Sequence, residues 1–168
     1  MTRLFFALWP DADSARELGR LARDLALRAG GKPVPQSKIH LTLAFLGDVA
    51  DARLAAAASV RSDASAFAMV LDCLGSFPGA RVAWAGCTAP PRGLIELQSS
   101  LAGELRSQDF ALDDRPFAPH LTLVRRISAQ VPTVGIEPIE WQAREFALMR
   151  SELGTGRYAI LDTWRLPD

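Results

Sequence analysis

A chain of 168 residues that is 49% hydrophobic can form one ordinary domain with a buried core, and this composition argues against disorder. Its 19 Lys and Arg balance 19 Asp and Glu, so it lacks the broad basic surface with which proteins coat long nucleic acids; a small phosphate pocket is compatible with this charge. Two cysteines without metal or redox spacing indicate free thiols in a reducing compartment, and we expect a soluble, cytoplasmic monomer with a single two-lobed domain over residues 1–168.

The first half of the chain predicts alternating strands and helices. The opening apolar run is typical of a buried strand and is too short to span a membrane. Helix caps, glycine stops and three- to four-residue apolar spacing set the limits of the long helix. In chain order we predict a strand from Leu4 to Trp9, a helix from Asp11 or Asp13 to Ala29, a strand from Lys38 to Leu46, a turn at Gly47 and Asp48, a helix from Asp51 to Asp63 and a strand from Phe67 to Leu74.

The second half repeats this order of strand, helix, proline-containing loop and strand. Its predicted elements are a strand from Ala80 to Cys87, a helix from Pro90 and Pro91 to Arg106, a loop from Asp113 to Ala118, a strand beginning at His120, and a closing hairpin of Arg144 to Ser151 with Tyr158 to Arg165. The repetition predicts an α+β fold of two similar lobes related by a pseudo-twofold axis. Mainly antiparallel sheets should line a central cleft, with helices outside.

Both histidines of the chain lie in the same tetrapeptide, His-Leu-Thr-Leu, over residues 40–43 and again over 120–123. Side chains of a strand alternate between its two faces. Each histidine therefore shares a face with the threonine two positions later. By the same rule Leu41, Leu43 and Phe45 face the core. If the two lobes are related by a twofold axis, two imidazoles and two hydroxyl groups line one cleft.

This set of side chains suits in-line displacement at phosphorus. One imidazole can take a proton from the attacking oxygen while the other gives a proton to the leaving oxygen, and Thr42 and Thr122 can donate to phosphate oxygens. A metal site is not predicted, because no third ligand with suitable spacing accompanies the histidines. The chain also lacks a nucleophile-elbow serine and a phosphate-binding P-loop. We therefore expect neither a metal nor a cofactor.

The paired motifs and their flanks resemble the two-histidine phosphoesterases, and within them the bacterial RNA 2′,3′-cyclic phosphodiesterases, also called 2′-5′ RNA ligases. The segments that carry the resemblance are Arg3 to Ala7, His40 to Gly47, Arg81 to Trp84, Pro90 to Leu94, Arg115 to His120, Gly156 to Tyr158, and Trp164. The resemblance implies hydrolysis of a 2′,3′-cyclic phosphate on RNA termini or nucleotides to a 2′-phosphate, and the joining of RNA ends through a 2′-5′ bond. It implies His40 as proton donor and His120 as proton acceptor. The residues alone would allow the two roles to be exchanged.

Three further residues are candidates for substrate contacts. The resemblance implies that Arg125 binds substrate, whereas strict alternation along the strand would place Arg126 on the face of His120. Trp84 and Phe5 could stack on a base, and core packing is the alternative for both. The competing functions are a small-molecule cyclic phosphodiesterase on the same fold and a binding module that holds phosphorylated RNA without turnover.

Overall fold

Nine strands and three α-helices form the chain in the computed structural model, which describes all of residues 1–168. The strands are β1 (Thr2–Leu8), β2 (Lys32–Pro33), β3 (Leu41–Val49), β4 (Phe67–Phe77), β5 (Val82–Gly86), β6 (His120–Arg125), β7 (Val134–Ala143), β8 (Glu145–Ser151) and β9 (Tyr158–Arg165). The helices are α1 (Ala12–Ala29), α2 (Leu54–Ala58) and α3 (Arg92–Ser107). None of these helices combines the length and the apolar composition needed to cross a membrane.

The sheet is antiparallel and divides into two halves that repeat each other. One half has the strand order β3-β1-β8-β9, and the other has the order β6-β5-β4-β7 with β2 attached to β6. The halves meet at one residue pair, Leu41 with Leu121. Each half pairs its motif strand with the strand that precedes it across a helix. The predicted α+β fold with two lobes is confirmed, and the two predicted sheets are joined into one.

The two long helices begin and end where the sequence predicts. The Asp11 side chain accepts a hydrogen bond from the Ser14 backbone nitrogen at 2.8 Å and caps α1. Gly30 ends this helix with φ of 74°, a conformation that glycine adopts without strain. Helix α3 begins directly after Pro91. Both helices bury an apolar stripe in a core that they share with the sheet, formed by Leu18, Ala22, Leu25 and Ala29 of α1 and by Leu94, Leu97, Leu101 and Leu105 of α3.

The helix predicted from Asp51 to Asp63 is much shorter than expected. Only Leu54–Ala58 is α-helical, after a 3₁₀ turn over 51–53. No side chain caps this helix, and its alanines offer little apolar surface to hold it against the core. Isolated turns of this length gain little from helix cooperativity.

The strands differ from the sequence-based expectation at two further places. The turn predicted at Gly47 and Asp48 is wrong, because β3 continues to Val49 and pairs with the start of β1. Gly47 adopts φ of 69°, beside an irregularity in that pairing, so the glycine serves a bulge rather than a reversal. Strand β7 was not predicted. It is an edge strand containing Pro138, a residue that weakens the strand signal and is tolerated at a sheet edge.

Candidate active site

The two histidines are held in the same way by the backbone that precedes them. The Nδ1 atom of His40 lies 2.7 Å from the carbonyl oxygen of Lys38, and Nδ1 of His120 lies 2.7 Å from the carbonyl oxygen of Ala118. Because a carbonyl oxygen can only accept, each Nδ1 must carry the hydrogen and donate it. Each Nε2 is therefore the ring nitrogen that gains or loses a proton.

The pairing of Leu41 with Leu121 brings the two motifs together at the centre of the sheet. Both leucine side chains are completely buried, so the residues on either side of each leucine lie on the opposite face. In an antiparallel pair, the residue before one leucine lies across from the residue after the other. The register thus sets each histidine across from the threonine of the other motif.

A cleft of about 690 Å³ opens on this face of the sheet, a volume within the range of small-molecule binding sites. Thr42, His120 and Thr122 line it. His40 is not among the lining residues and lies beside the cleft. The remaining walls come from α3 and from the turn and loop at 77–80 and 112–118.

His40 packs among three aromatic rings. The ring centroids of Phe5, Trp9 and Tyr158 lie 5.0, 4.9 and 5.5 Å from that of the imidazole. Tyr158 meets the imidazole edge-on, with an angle of 86° between the ring planes. These contacts fix the plane of the His40 ring and exclude water from much of it.

The electrostatic surroundings favour the neutral form of His40. Burial lowers the pKa of His40 below its usual value, and the hydrogen bond to the Lys38 carbonyl opposes this shift. The positive charges of Arg125 and His120 lower the pKa of His40 further. Arg125 and His120 therefore act electrostatically on the His40 imidazole, although both belong to the other half of the sheet.

His120 has more open surroundings. One aromatic ring, that of Phe77, packs edge-on against it with 4.9 Å between centroids, and the other side of His120 lines the cleft. The two imidazoles thus share a backbone anchor but differ in their exposure to a ligand.

A β-bulge after the second motif decides which arginine faces the cleft. Consecutive residues of β5 pair with Thr122 and Val124, so Leu123 has no partner in β5. Leu123 and Val124 are both completely buried, and alternation is shifted by one residue. Arg125 therefore lines the cleft, whereas Arg126 adopts φ of 58° where the strand has ended. Strict alternation, which favoured Arg126, fails at this bulge.

Known proteins resemble this chain over nearly its whole length. A sequence model of the 2′-5′ RNA ligase superfamily matches residues 7–155. The chain belongs to this superfamily. The RNA 2′,3′-cyclic phosphodiesterase of Escherichia coli K12 is 34% identical over 170 residues, covering 98% of this chain and 96% of that protein.

Two further relatives extend the likeness. The RNA 2′,3′-cyclic phosphodiesterase of Thermus thermophilus is 32% identical, covering 90% of this chain and 82% of that protein. The crystal structure of Escherichia coli LigT complexed with 3′-AMP superimposes with a TM-score of 0.87 at 32% identity, covering 99% of both chains. The similarity to superfamily relatives therefore covers both lobes.

Phe45 lies in the cleft, so the expectation that it faces the core is wrong. Consecutive residues of β1 pair with Thr42 and Ala44, and Leu43 has no partner in β1. Leu43 and Ala44 are buried, whereas Phe45 is 53% exposed and lines the cleft. The same bulge thus occurs in both motif strands. Phe45 and Arg125 each follow their histidine by five positions, so aligning the two repeats could have identified Phe45.

The ring of Phe45 is supported from outside the cleft lining. The Arg3 guanidinium lies 5.9 Å from the ring centroid, and Arg3 is itself bound to the carboxylate of Asp48 at 3.3 Å. An exposed aromatic ring held in this way offers a preformed surface for stacking.

Trp84 and Phe5 lie beside the site rather than in the lining of the cleft. Phe5 is only 4% exposed and packs against the His40 ring. Trp84 is half-buried and packs against Phe77 at 5.4 Å. Its ring also lies over Gly86, where an added Cβ atom would come within 3.0 Å of it. This placement favours the packing alternative for both residues.

The hairpin of β8 and β9 reaches the first motif through two contacts that the sequence did not reveal. The Lys38 ammonium donates a hydrogen bond to the carbonyl oxygen of Gly156 and lies 5.7 Å from the ring centroid of Tyr158. Tyr158 in turn contacts His40. The distant hairpin therefore helps to position the first imidazole.

Proposed function

We propose that the protein is a phosphodiesterase that hydrolyses the 2′,3′-cyclic phosphate of RNA termini or nucleotides to a 2′-phosphate. The observation that carries this proposal is the pair of backbone-anchored imidazoles on one face of the sheet, each with Nε2 free for proton transfer. Membership of the superfamily and the names of the relatives support the same reaction class.

In the proposed reaction His120 is the proton acceptor and His40 the proton donor. His120 takes a proton from water while the water oxygen forms a bond to phosphorus. The bond between phosphorus and the 3′ oxygen breaks, and His40 gives a proton to that oxygen. The product carries a 2′-phosphate and a 3′-hydroxyl, and exchange with solvent returns both imidazoles to their starting states.

Substrate binding supplies the protonated form of His40 that this role requires. Burial lowers the pKa of His40 in the free protein. A phosphodiester carries one negative charge, and an opposite charge within about 4–6 Å favours a charged imidazole. The bound cyclic phosphate therefore raises the pKa of His40 and promotes protonation next to the leaving oxygen.

Three further side chains act on the phosphoryl oxygens in this proposal. Thr42 and Thr122 donate hydrogen bonds to the non-bridging oxygens, and Arg125 neutralises their charge from the same cleft. Phe45 supplies the exposed aromatic surface for a base. Phe5 packs against the ring of His40 instead of contacting the base.

The same arrangement supports the joining of RNA ends. If the 5′-hydroxyl of a second RNA replaces water, His120 takes the hydroxyl proton and the 5′ oxygen bonds to phosphorus. The 3′ oxygen leaves with a proton from His40. The product is a 2′-5′ phosphodiester, so ligation needs no additional catalytic group.

We propose that neither a metal ion nor a cofactor takes part. The structure contains no group of three or more His, Cys, Asp or Glu placed to hold a metal ion. Two imidazoles supply the acid and the base, and an arginine supplies the positive charge that a metal would contribute elsewhere.

Phosphorus NMR of the product from a nucleoside 2′,3′-cyclic phosphate tests the proposed function. We expect a 2′-phosphate, because His40 is assigned to the 3′ oxygen. Formation of a 3′-phosphate would contradict that leaving-group geometry. Binding of the cyclic nucleotide without any turnover would instead support a non-catalytic module.

A further inference from the structure

The cleft concentrates positive charge in a chain whose net charge is zero. Arg106, Arg115 and Arg125 line it, together with a single acidic residue, Asp113. Arg115 is paired with Asp113, since its Nε lies 2.8 Å from a carboxylate oxygen, and this pairing lowers the pKa of Asp113 to about 2. Arg106 and Arg125 take part in none of the ion pairs of the protein. Two cations of the cleft therefore lack an acidic partner.

The two unpaired cations belong to different elements of the cleft wall, Arg125 to the end of β6 and Arg106 to the last turn of α3. Gln98 of α3 donates a hydrogen bond to the Leu43 carbonyl oxygen at 3.4 Å, which sets this part of the helix beside the first motif. Arg106 lies eight residues further along α3, or about 12 Å at 1.5 Å per residue. The charge of Arg125 acts on His40, which assigns Arg125 to a phosphate between the motifs in the proposed function and leaves Arg106 available for a second anion.

We propose that Arg106 binds the phosphate that joins the terminal nucleoside of an RNA to its 5′ neighbour. This inference rests on the proposed function, because the terminal cyclic phosphate must occupy the motif site. An RNA end carries a further phosphate one nucleoside away from the cyclic phosphate, whereas a nucleoside 2′,3′-cyclic phosphate carries none. Arg106 therefore makes RNA ends better substrates than mononucleotides, in the manner of positively charged grooves that follow a single strand.

Three substrates separate the contributions of the second phosphate and of the second nucleoside. They are adenosine 2′,3′-cyclic phosphate, the same nucleotide with a 5′-phosphate, and an adenosine dinucleotide ending in a 2′,3′-cyclic phosphate. We expect kcat/KM to be about tenfold higher for the last two, as for one hydrogen bond to a charged group. The advantage should lie in KM and should shrink as salt is added. If the dinucleotide exceeds the 5′-phosphorylated nucleotide, an RNA end is preferred over a phosphorylated small molecule; equal values support a site for the phosphate alone.

Variants of two arginines on the same helix test which residue provides this advantage. Arg106→Gln should reduce kcat/KM of the two larger substrates to the value of the smallest one, and Arg106→Lys should restore part of the advantage. Arg92→Gln is the matched control, since Arg92 lies at the other end of α3, is paired with Glu96 and does not line the cleft. It should leave all three substrates unaffected.

Two results would overturn the proposal. One is equal kcat/KM for all three substrates in the unmodified protein. The other is an Arg106→Gln variant that loses activity equally on all three, because a cation in the last turn of a helix also stabilises the helix dipole, and that role does not depend on the substrate. If none of the three substrates is hydrolysed, the proposed function fails instead.

Discussion

The surroundings of the two histidines differ although their motifs are the same. His40 packs among Phe5, Trp9 and Tyr158 beside the cleft, whereas His120 meets one ring and lines the cleft directly. Both rings keep the same hydrogen bond from Nδ1 to a carbonyl two residues earlier. The repeated motif therefore fixes ring position and tautomer, and the neighbours that are not repeated bury the His40 ring and lower its pKa.

The positions five residues after each histidine are also equivalent in the backbone and different in side chain. A bulge in each motif strand turns Phe45 and Arg125 into the cleft. One side chain suits a base and the other suits a phosphate. The duplicated backbone thus supplies two equivalent positions, and in the proposed function they bind different parts of a nucleotide.

Loss of either imidazole tests whether both halves are needed and should have the largest effect. His40→Ala and His120→Ala should each lower kcat on a nucleoside 2′,3′-cyclic phosphate by at least ~10². Addition of EDTA should leave the unmodified protein fully active. Near-normal turnover in either variant, or loss of activity on chelation, would disprove paired imidazole catalysis without a metal.

Removal of the two threonine hydroxyls asks whether the motifs also match in their second polar residue. Thr42→Val and Thr122→Val keep the branched side chain that strands favour and remove only the hydrogen-bond donor. Each should lose about 1.5–3 kcal/mol of transition-state stabilisation, measured from kcat/KM, with an unchanged melting temperature. A large fall in melting temperature with normal turnover per folded molecule would assign the hydroxyl groups to folding.

The features that sequence alone could predict depend on local or repeated signals. The helix capped by Asp11, the closing hairpin and the two motif histidines are of this kind, because caps, periodicity and repeats are visible along the chain. Alternation could not predict the face of the sheet on which the Phe45 side chain lies, because a bulge is defined by pairing with another strand that is distant in sequence. The aromatic surroundings of His40 were missed for a similar reason: Tyr158 reaches it from the last hairpin.

Replacement of Phe45 probes the difference between the two bulge positions. Phe45→Leu should raise KM for a cyclic nucleotide by an amount equivalent to about 1–3 kcal/mol, the range for stacking of one base on an aromatic ring. It should not affect ribose 2′,3′-cyclic phosphate, which lacks a base, and Phe45→Trp should retain tight binding. An equal loss on both substrates would show that Phe45 does not contact the base.

The pH dependence of kcat/KM distinguishes the roles of the two histidines. The proposed active form has His40 charged and His120 neutral, so the profile should be bell-shaped, with limbs that belong to the pair. His120→Ala should lose the acidic limb, because no group then has to be deprotonated. His40→Ala should lose the alkaline limb. The opposite pattern would mean that donor and acceptor are exchanged.

Direct titration of His40 tests how its aromatic neighbours affect its pKa, and this is the smallest of the expected effects. NMR of the imidazole signals, assigned with the two alanine variants, should give a His40 pKa below about 6.5, since burial lowers it. Tyr158→Ala should open the His40 site and move this pKa back towards the ordinary value.

Because the folded-state pKa of His40 is lowered, the unfolded chain binds more protons between that pKa and about 6.5. The His40 contribution to the free energy of unfolding should therefore rise with pH across this window and fall as the pH drops through it. A His40 pKa at or above 6.5 in the free protein would show that its aromatic neighbours leave it as well hydrated as an ordinary histidine.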